Sequence, residues 1–401
     1  MSRKLIALLA IGTGVTVANL YYAQPLLEAI AAQFDVSDGT AGLLVTVSQV
    51  FYGLGLVFLA PLSDLVDRRK LVVALLAVSC VAMAGAAAAP QFLVLALALG
   101  IAATTSVVAQ ILVPFASTLA PEGERGHVVG LVMGGLLTGI LLARTFAGLL
   151  AGATSWRVVF AIAALAMAVL GVALWRAMPE LRPSSTLAYR ELLGSVGALI
   201  RRESLLRRRM IYGACGMASF SLVWTTLAFL LSDPPFNFGE ATIGLFGLAG
   251  LAGAVSAMRM GGLHDRGHGR LATGAVLAAV LLSWPIFILG QHSVVAILVG
   301  LAVLDFGVQG QNVLSQGAIY ALGRETTGRV TTAYVTSNFA GGAIGSAAGS
   351  LAWSTGGWDA VCGVGIAFAG IALVLWLTEP GHRARRGARR PEMVTSDLRA
   401  S

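Results

Sequence analysis

The chain has 401 residues, of which 57% are hydrophobic and 11% charged, with a formal net charge of +8. An ordinary soluble domain carries about 25% charged residues, and no water-soluble fold of this length hides so much apolar surface, whereas a bilayer replaces water as the solvent for it. The apolar runs are too long for barrel strands and show no period-2 alternation, which leaves an all-α membrane protein.

In chain order, apolar runs lie at 5–31, 41–62, 71–89, 92–114, 127–150 and 157–177. After a polar gap they resume at 211–231, 241–260, 271–290, 294–318, 328–352 and 358–378. We number them spans 1 to 12; each approaches the roughly 20 residues a helix needs to cross. Arg3 and Lys4 precede the first run, as in a signal peptide. That run continues through Asn19 and Tyr22 to Ala32, beyond a signal peptide's apolar region. The chain thus divides into a six-helix bundle over 1–178, a linker over 179–210, a second bundle over 211–380 and a basic tail over 381–401. In the linker, Leu192, Leu193, Val196, Leu199 and Ile200 have helical spacing, which predicts an amphipathic helix on the cytoplasmic headgroups. A solvated linker is the plainer reading.

With both termini in the cytoplasm, 25 of the 27 basic residues fall on the inside; Arg157 lies in an outside loop and Arg144 within span 5. That asymmetry sets the orientation. The positive charge sits at membrane edges, where anionic lipids are its partners, so it does not argue for nucleic acid. Cys80, Cys215 and Cys362 fall in apolar runs and make neither a disulfide framework nor a metal spacing. No catalytic triad, metal cluster or cofactor motif is present in the sequence, and an enzyme is not expected.

The two halves resemble each other. Leu62-Ser63-Asp64 recurs as Leu263-His264-Asp265, Arg125 as Arg329 and Trp156 as Trp358, at offsets of 201, 204 and 202. Six spans per repeat means both repeats enter the membrane in the same orientation, which describes two parallel bundles related by an axis along the membrane normal.

The loop after span 2, Ala60-Pro61-Leu62-Ser63-Asp64-Leu65-Val66-Asp67-Arg68-Arg69-Lys70, resembles the motif Gly-x-Leu-Ala-Asp-Arg-x-Gly-Arg-Arg-Arg/Lys of the major facilitator superfamily. The second copy, Gly261 to Arg270, keeps more of the pattern with one extra residue. Span 5 resembles the antiporter motif of the drug–proton branch, keeping Gly135 and Gly139 but carrying Ile140 for its proline and Arg144 for its last glycine. Asn19 to Leu27 resembles efflux permeases of the sugar- and drug-efflux kind. The resemblance implies twelve helices in two six-helix bundles, a path lined by spans 1, 4, 7 and 10, and alternating access. Asp64, Arg68, Arg69, Asp265 and Arg266 are then expected to act in gating, by capping a helix or by bridging to acidic groups of the other bundle; topological anchoring is the alternative.

Neither lysine sits in a P-loop context, so transport has to run on a gradient. Asp305 lies about 16 Å into span 10, near the midplane of an apolar core about 30 Å thick. A carboxylate there faces a cavity or a partner, and protonation removes the cost of its charge. Gln309, Asn312 and Gln316 follow on the same helix face, either as a cavity lining or as a polar seam inside one bundle. Arg144 is the other intramembrane charge, in the cavity or snorkelling to the outer headgroups. Glu28 is the second candidate for proton coupling, although it lies nearer the outer surface. Asn19, Tyr22, Gln24, Gln110, Trp224 and Asn338 complete the expected substrate lining. The reading is a monomeric proton-coupled exporter of a small organic molecule in a bacterial inner membrane, whose partners are substrate, protons and lipids. An importer, a uniporter and a receptor are the alternatives.

Overall fold

The computed structural model describes residues 2–121, 124–180, 189–323 and 326–379; the basic tail expected over 381–401 lies outside them. Among the described residues there are helices and no strands. Span 1 is Arg3–Ala18, a 3-10 turn Gln24–Leu26 around Pro25, and Leu27–Phe34. Spans 2 and 3 are Asp38–Phe58 and Arg68–Ala87. Span 4 is broken into Phe92–Thr105 and Val108–Leu119, and spans 5 and 6 are Arg125–Ala153 and Trp156–Ala177. Span 7 is Ser204–Ser232, and span 8 is Glu240–Leu245, a 3-10 turn Phe246–Gly250, and Leu251–Leu263. Spans 9 and 10 are Gly269–Leu289 and Val294–Tyr320. Thr327–Leu377 turns at Gly356 and Gly357, and the φ of +60° at Gly357 is one that glycine adopts without penalty. Among the described residues, ten helices are long and apolar enough to cross a membrane. Dividing the last at this turn and adding the broken span 1 accounts for twelve. Large apolar side chains such as Val81, Leu165 and Met258 are exposed, as a hydrocarbon solvent permits.

The repeat is written in contacts as well as in letters. In the first half, a Cβ at Gly135 or Gly139 of span 5 would collide with the span 1 backbone at Ala10 or Gly14. In the second, Gly341 and Gly345 of span 11 stand in the same relation to Ala214 and Ala218 of span 7. Small residues four apart let two helix backbones touch, which is how helices associate without a hydrophobic driving force between them. The basic ends repeat too. Arg69 lies 4.2 Å over the Trp175 ring and 3.6 Å from the Glu180 carboxylate. Arg270 lies 5.8 Å over Trp376 and donates to the Glu379 carbonyl at 2.6 Å.

The halves meet firmly at one end. Gly148 of span 5 crosses Gly244 of span 8, and Ser350 of span 11 crosses Gly42 of span 2. Trp353 Nε1 donates to Asp38 at 3.1 Å, and Thr46 donates to Ser346 at 3.0 Å. Toward the basic end they separate. A cavity of about 220 Å³ opens between spans 2 and 11, lined by residues including Gly53, Val57 and Thr336. Gly126, Gly130 and Gly134 on the basic half of span 5 face open space.

The linker does form a helix, Tyr189–Arg202, but its apolar face does not lie on headgroups. Val196, Leu199 and Ile200 pack on Leu206, Ile319, Val330, Ala333 and Tyr334. The ends of spans 10 and 11 leave an apolar patch, and the helix covers it. The Tyr189 hydroxyl reaches the first half, donating to the Phe58 carbonyl at 2.8 Å. The side chain of Leu192 lies outside the described residues.

Candidate functional site

Arg144 does not snorkel. It is 3% exposed and points between the halves. Its Nε donates to Gln24 Oε1 at 2.5 Å, and one Nη donates to the Ile140 carbonyl at 3.4 Å. The guanidinium lies over three rings, with centroids at 4.0 Å for Trp224, 4.6 Å for Tyr21 and 5.3 Å for Phe220. A planar cation over aromatic faces is held by their quadrupoles. The second Nη and the Gln24 amide nitrogen are buried with no hydrogen-bond partner.

Across from it stands Asp305, also 3% exposed. Arg144 of the first half and Asp305 of the second line one cavity of about 170 Å³, with Thr138, Leu141, Phe220 and Gln309. The two charges feel each other without forming an ion pair. Span 8 explains how they come so close to its axis. A Cβ at Gly247 would lie 3.0 Å from Arg144 Cβ, and one at Gly250 would lie 3.5 Å from the Asp305 carboxylate. These two glycines sit in the 3-10 turn of span 8.

The stripe below Asp305 divides. Gln309 lines the cavity. Asn312 accepts from the Tyr334 hydroxyl at 2.8 Å and from Asn338 Nδ2 at 3.1 Å, so both asparagines belong to a seam inside the second half. Gln316 accepts from Tyr320 on its own helix at 3.2 Å. The helix face is the same throughout, but span 11 crosses it below Gln309, and the neighbour changes along the axis. Asn19 likewise turns inward, donating at 3.4 Å to Ser79, Ser106 and Met167 within the first half. Gln110 meets the Tyr52 hydroxyl at 3.4 Å, and Tyr22 packs on Phe146 at 6.2 Å.

Glu28 is not in the cavity. The 3-10 turn at Pro25 carries it to the closed end, where it is exposed near Glu240, Asp38 and Asp233. At the basic end, Asp64 pairs with Arg68 at 3.1 Å, and Arg69 pairs with Glu180. The first pair stays within the first half and the second ends at the start of the linker, where a bridge to the other bundle was expected. Asp67, not Asp64, caps span 3 by accepting from the Lys70 amide at 3.0 Å. Arg266 is exposed in the wide turn His264–His268, and the Asp265 side chain lies outside the described residues. Sequence reasoning missed Tyr21 and Phe220. Both stand beside residues it did single out, Tyr22 and Trp224, but on the side facing Arg144.

A cavity between two halves, with opposite charges on its opposite walls, is a place for a solute to pass through a membrane. The family model described as Major Facilitator Superfamily matches residues 9–346, and the chain belongs to that family. Uncharacterized transporter YgaY of Escherichia coli O157:H7 is 45% identical over 376 residues, covering 94% of this chain and 95% of that protein. Inner membrane transport protein YnfM of Escherichia coli K12 is 26% identical over 385 residues, covering 94% and 89%. A bacterial homologue of the human lysosomal transporter Spinster, in an inward-facing and occupied conformation, superposes with a TM-score of 0.76 at 13% identity, covering 93% of this chain and 96% of that one. The nucleoside transporter NupG superposes at 0.74 with 14% identity, covering 93% and 98%. These two show the fold alone. The protein is a membrane transporter of this superfamily and not an enzyme.

Proposed function

We propose that the protein exports a small organic solute from the cytoplasm in exchange for protons, by alternating access of two six-helix bundles over 1–178 and 211–380. The observation that carries the reading is the pair Arg144 and Asp305, on opposite halves and sharing one cavity. A buried carboxylate that changes its proton changes its attraction to a cation on the other half, and so biases which end is closed. The titratable groups facing Asp305 are Arg144 and, from span 1, the neutral Tyr21 hydroxyl. On this reading both termini and the open, basic end face the cytoplasm of a bacterial inner membrane, and one chain suffices. A cysteine at Ser37 then labels from outside.

The efflux reading draws on the resemblance of spans 1 and 5 to efflux carriers. Purified protein in vesicles enclosing a pH-sensitive dye tests it. A transported solute has to move protons in the opposite sense. Movement in the same sense makes the protein an importer by symport, and solute flux with no proton movement makes it a uniporter.

A further inference from the structure

We infer that the cavity takes a zwitterion of amino-acid size, its carboxylate held by Arg144 and its ammonium by Asp305; this rests on the transport reading of the same site. Three observations converge. First, Arg144 is buried yet incompletely paired, with one Nη and the adjacent Gln24 amide nitrogen lacking acceptors. An anionic group supplies acceptors to both. Second, Asp305 stands on the opposite wall with no ion pair, so the cavity has one wall of each sign. Third, the two are spaced. The Arg144 Cβ lies beside Gly247 and the Asp305 carboxylate beside Gly250, three residues apart in a 3-10 turn, so the two side chains enter the cavity at levels about 6 Å apart along the axis.

Charge balance excludes the simpler ligands. A neutral solute leaves both buried charges as they are. While Asp305 is ionised, an anion satisfies Arg144 but repels Asp305, and a cation does the reverse. Only a molecule carrying both charges compensates both walls. The size agrees: a cavity of about 170 Å³ holds on the order of a dozen water-sized spheres, which is the bulk of an amino acid with a modest side chain. The Phe220 and Leu141 walls offer that side chain an apolar surface. The chemistry also joins binding to coupling. The ammonium and the proton compete for the same carboxylate, so loading one expels the other, which is exchange with no further device.

The test is a binding panel read by Trp fluorescence on the full chain in detergent, since Trp224 stacks on the guanidinium. The probes are the twenty proteinogenic amino acids, the amide and the N-acetyl derivative of any that bind, and glucose as the neutral control. At least one amino acid should bind, and losing either charge should weaken it by about tenfold or more, as loss of a charged hydrogen bond to a buried group does. Arg144→Gln should abolish discrimination against the amide, and Asp305→Asn discrimination against the N-acetyl form. Silence from all twenty, equal binding of the truncated forms, or tighter binding of glucose overturns the inference. An amino acid that binds but exchanges for no protons leaves the substrate class standing and removes the coupling. Proton-linked flux of a solute outside this class does the opposite.

Discussion

Replacing Arg144 by Met separates function from stability. The guanidinium makes one close charged hydrogen bond, to Gln24, worth about 1.5–3 kcal/mol, and a long one to the Ile140 carbonyl at 3.4 Å that adds little. Its stack on Trp224 at 4.0 Å adds about 2 kcal/mol in a desolvated setting. Against this stand the desolvation of the charge, at several kcal/mol, and the unpartnered Nη, at about 1–3 kcal/mol. The two sides nearly cancel. Arg144→Met, which keeps the length and packs on the same rings, should therefore unfold within a few degrees of wild type, while transport is lost. Asp305 is then left without its cation, so Asp305→Asn in the same chain should recover any stability that Arg144→Met loses. Thermal unfolding by light scattering, alongside solute uptake into vesicles, reads both quantities. A large fall in the unfolding midpoint that Asp305→Asn does not reverse would refute the reasoning, because the guanidinium would then be a structural group.

Gly139→Leu should abolish folded protein, because the side chain meets the Gly14 backbone; Gly130→Leu, in open space, should leave a monodisperse peak in size-exclusion chromatography, and equal profiles would count against the tight crossing. Burial, and then the charge of Asp38, holds Asp233 above the usual carboxylate range. Its protonated form therefore favours the closed end, and that preference is lost as pH rises through its range. A Cβ at Gly39 would lie 3.5 Å from Ser354 Cβ, within disulfide reach, so a Gly39→Cys, Ser354→Cys pair treated with an added oxidant should cross-link more as pH falls, once the yield is corrected for the falling thiolate fraction. Asp233→Asn should flatten that dependence, and an unchanged slope would remove Asp233 from the closure. Asp67→Ala should cost about 1 kcal/mol through the lost cap with transport intact. Asp64→Asn should slow transport without changing affinity; an affinity defect at normal maximal rate would contradict the assignment.

The spans, the repeat and the two intramembrane charges are legible in the sequence because each is a property of one segment against its solvent. Lipid punishes a charge wherever it stands, so Asp305 and Arg144 are conspicuous before any partner is known. What stands opposite them is a different kind of fact. Tyr21 and Tyr22 are neighbours in sequence, yet in the turn between Ala18 and Gln24 one ring lies under Arg144 and the other on Phe146. Asn19 sits on span 1, where a path lining was expected, but its amide turns into the first half. The polar stripe of span 10 keeps one face, and crossing helices decide that Gln309 meets the cavity while Asn312 meets Tyr334. The linker helix shows the same limit, since its amphipathic spacing announces an apolar partner without saying whether that partner is lipid or protein.

If Asp305 carries the exchanged proton, flux against an imposed pH gradient has to depend on it. Wild-type protein and Asp305→Asn are reconstituted side by side, and uptake of a solute that passes the binding panel is followed with and without the gradient. Wild type should concentrate the solute only with the gradient, and Asp305→Asn should exchange labelled for unlabelled solute without concentrating it. Concentration by Asp305→Asn at the wild-type rate would mean that the proton is carried elsewhere.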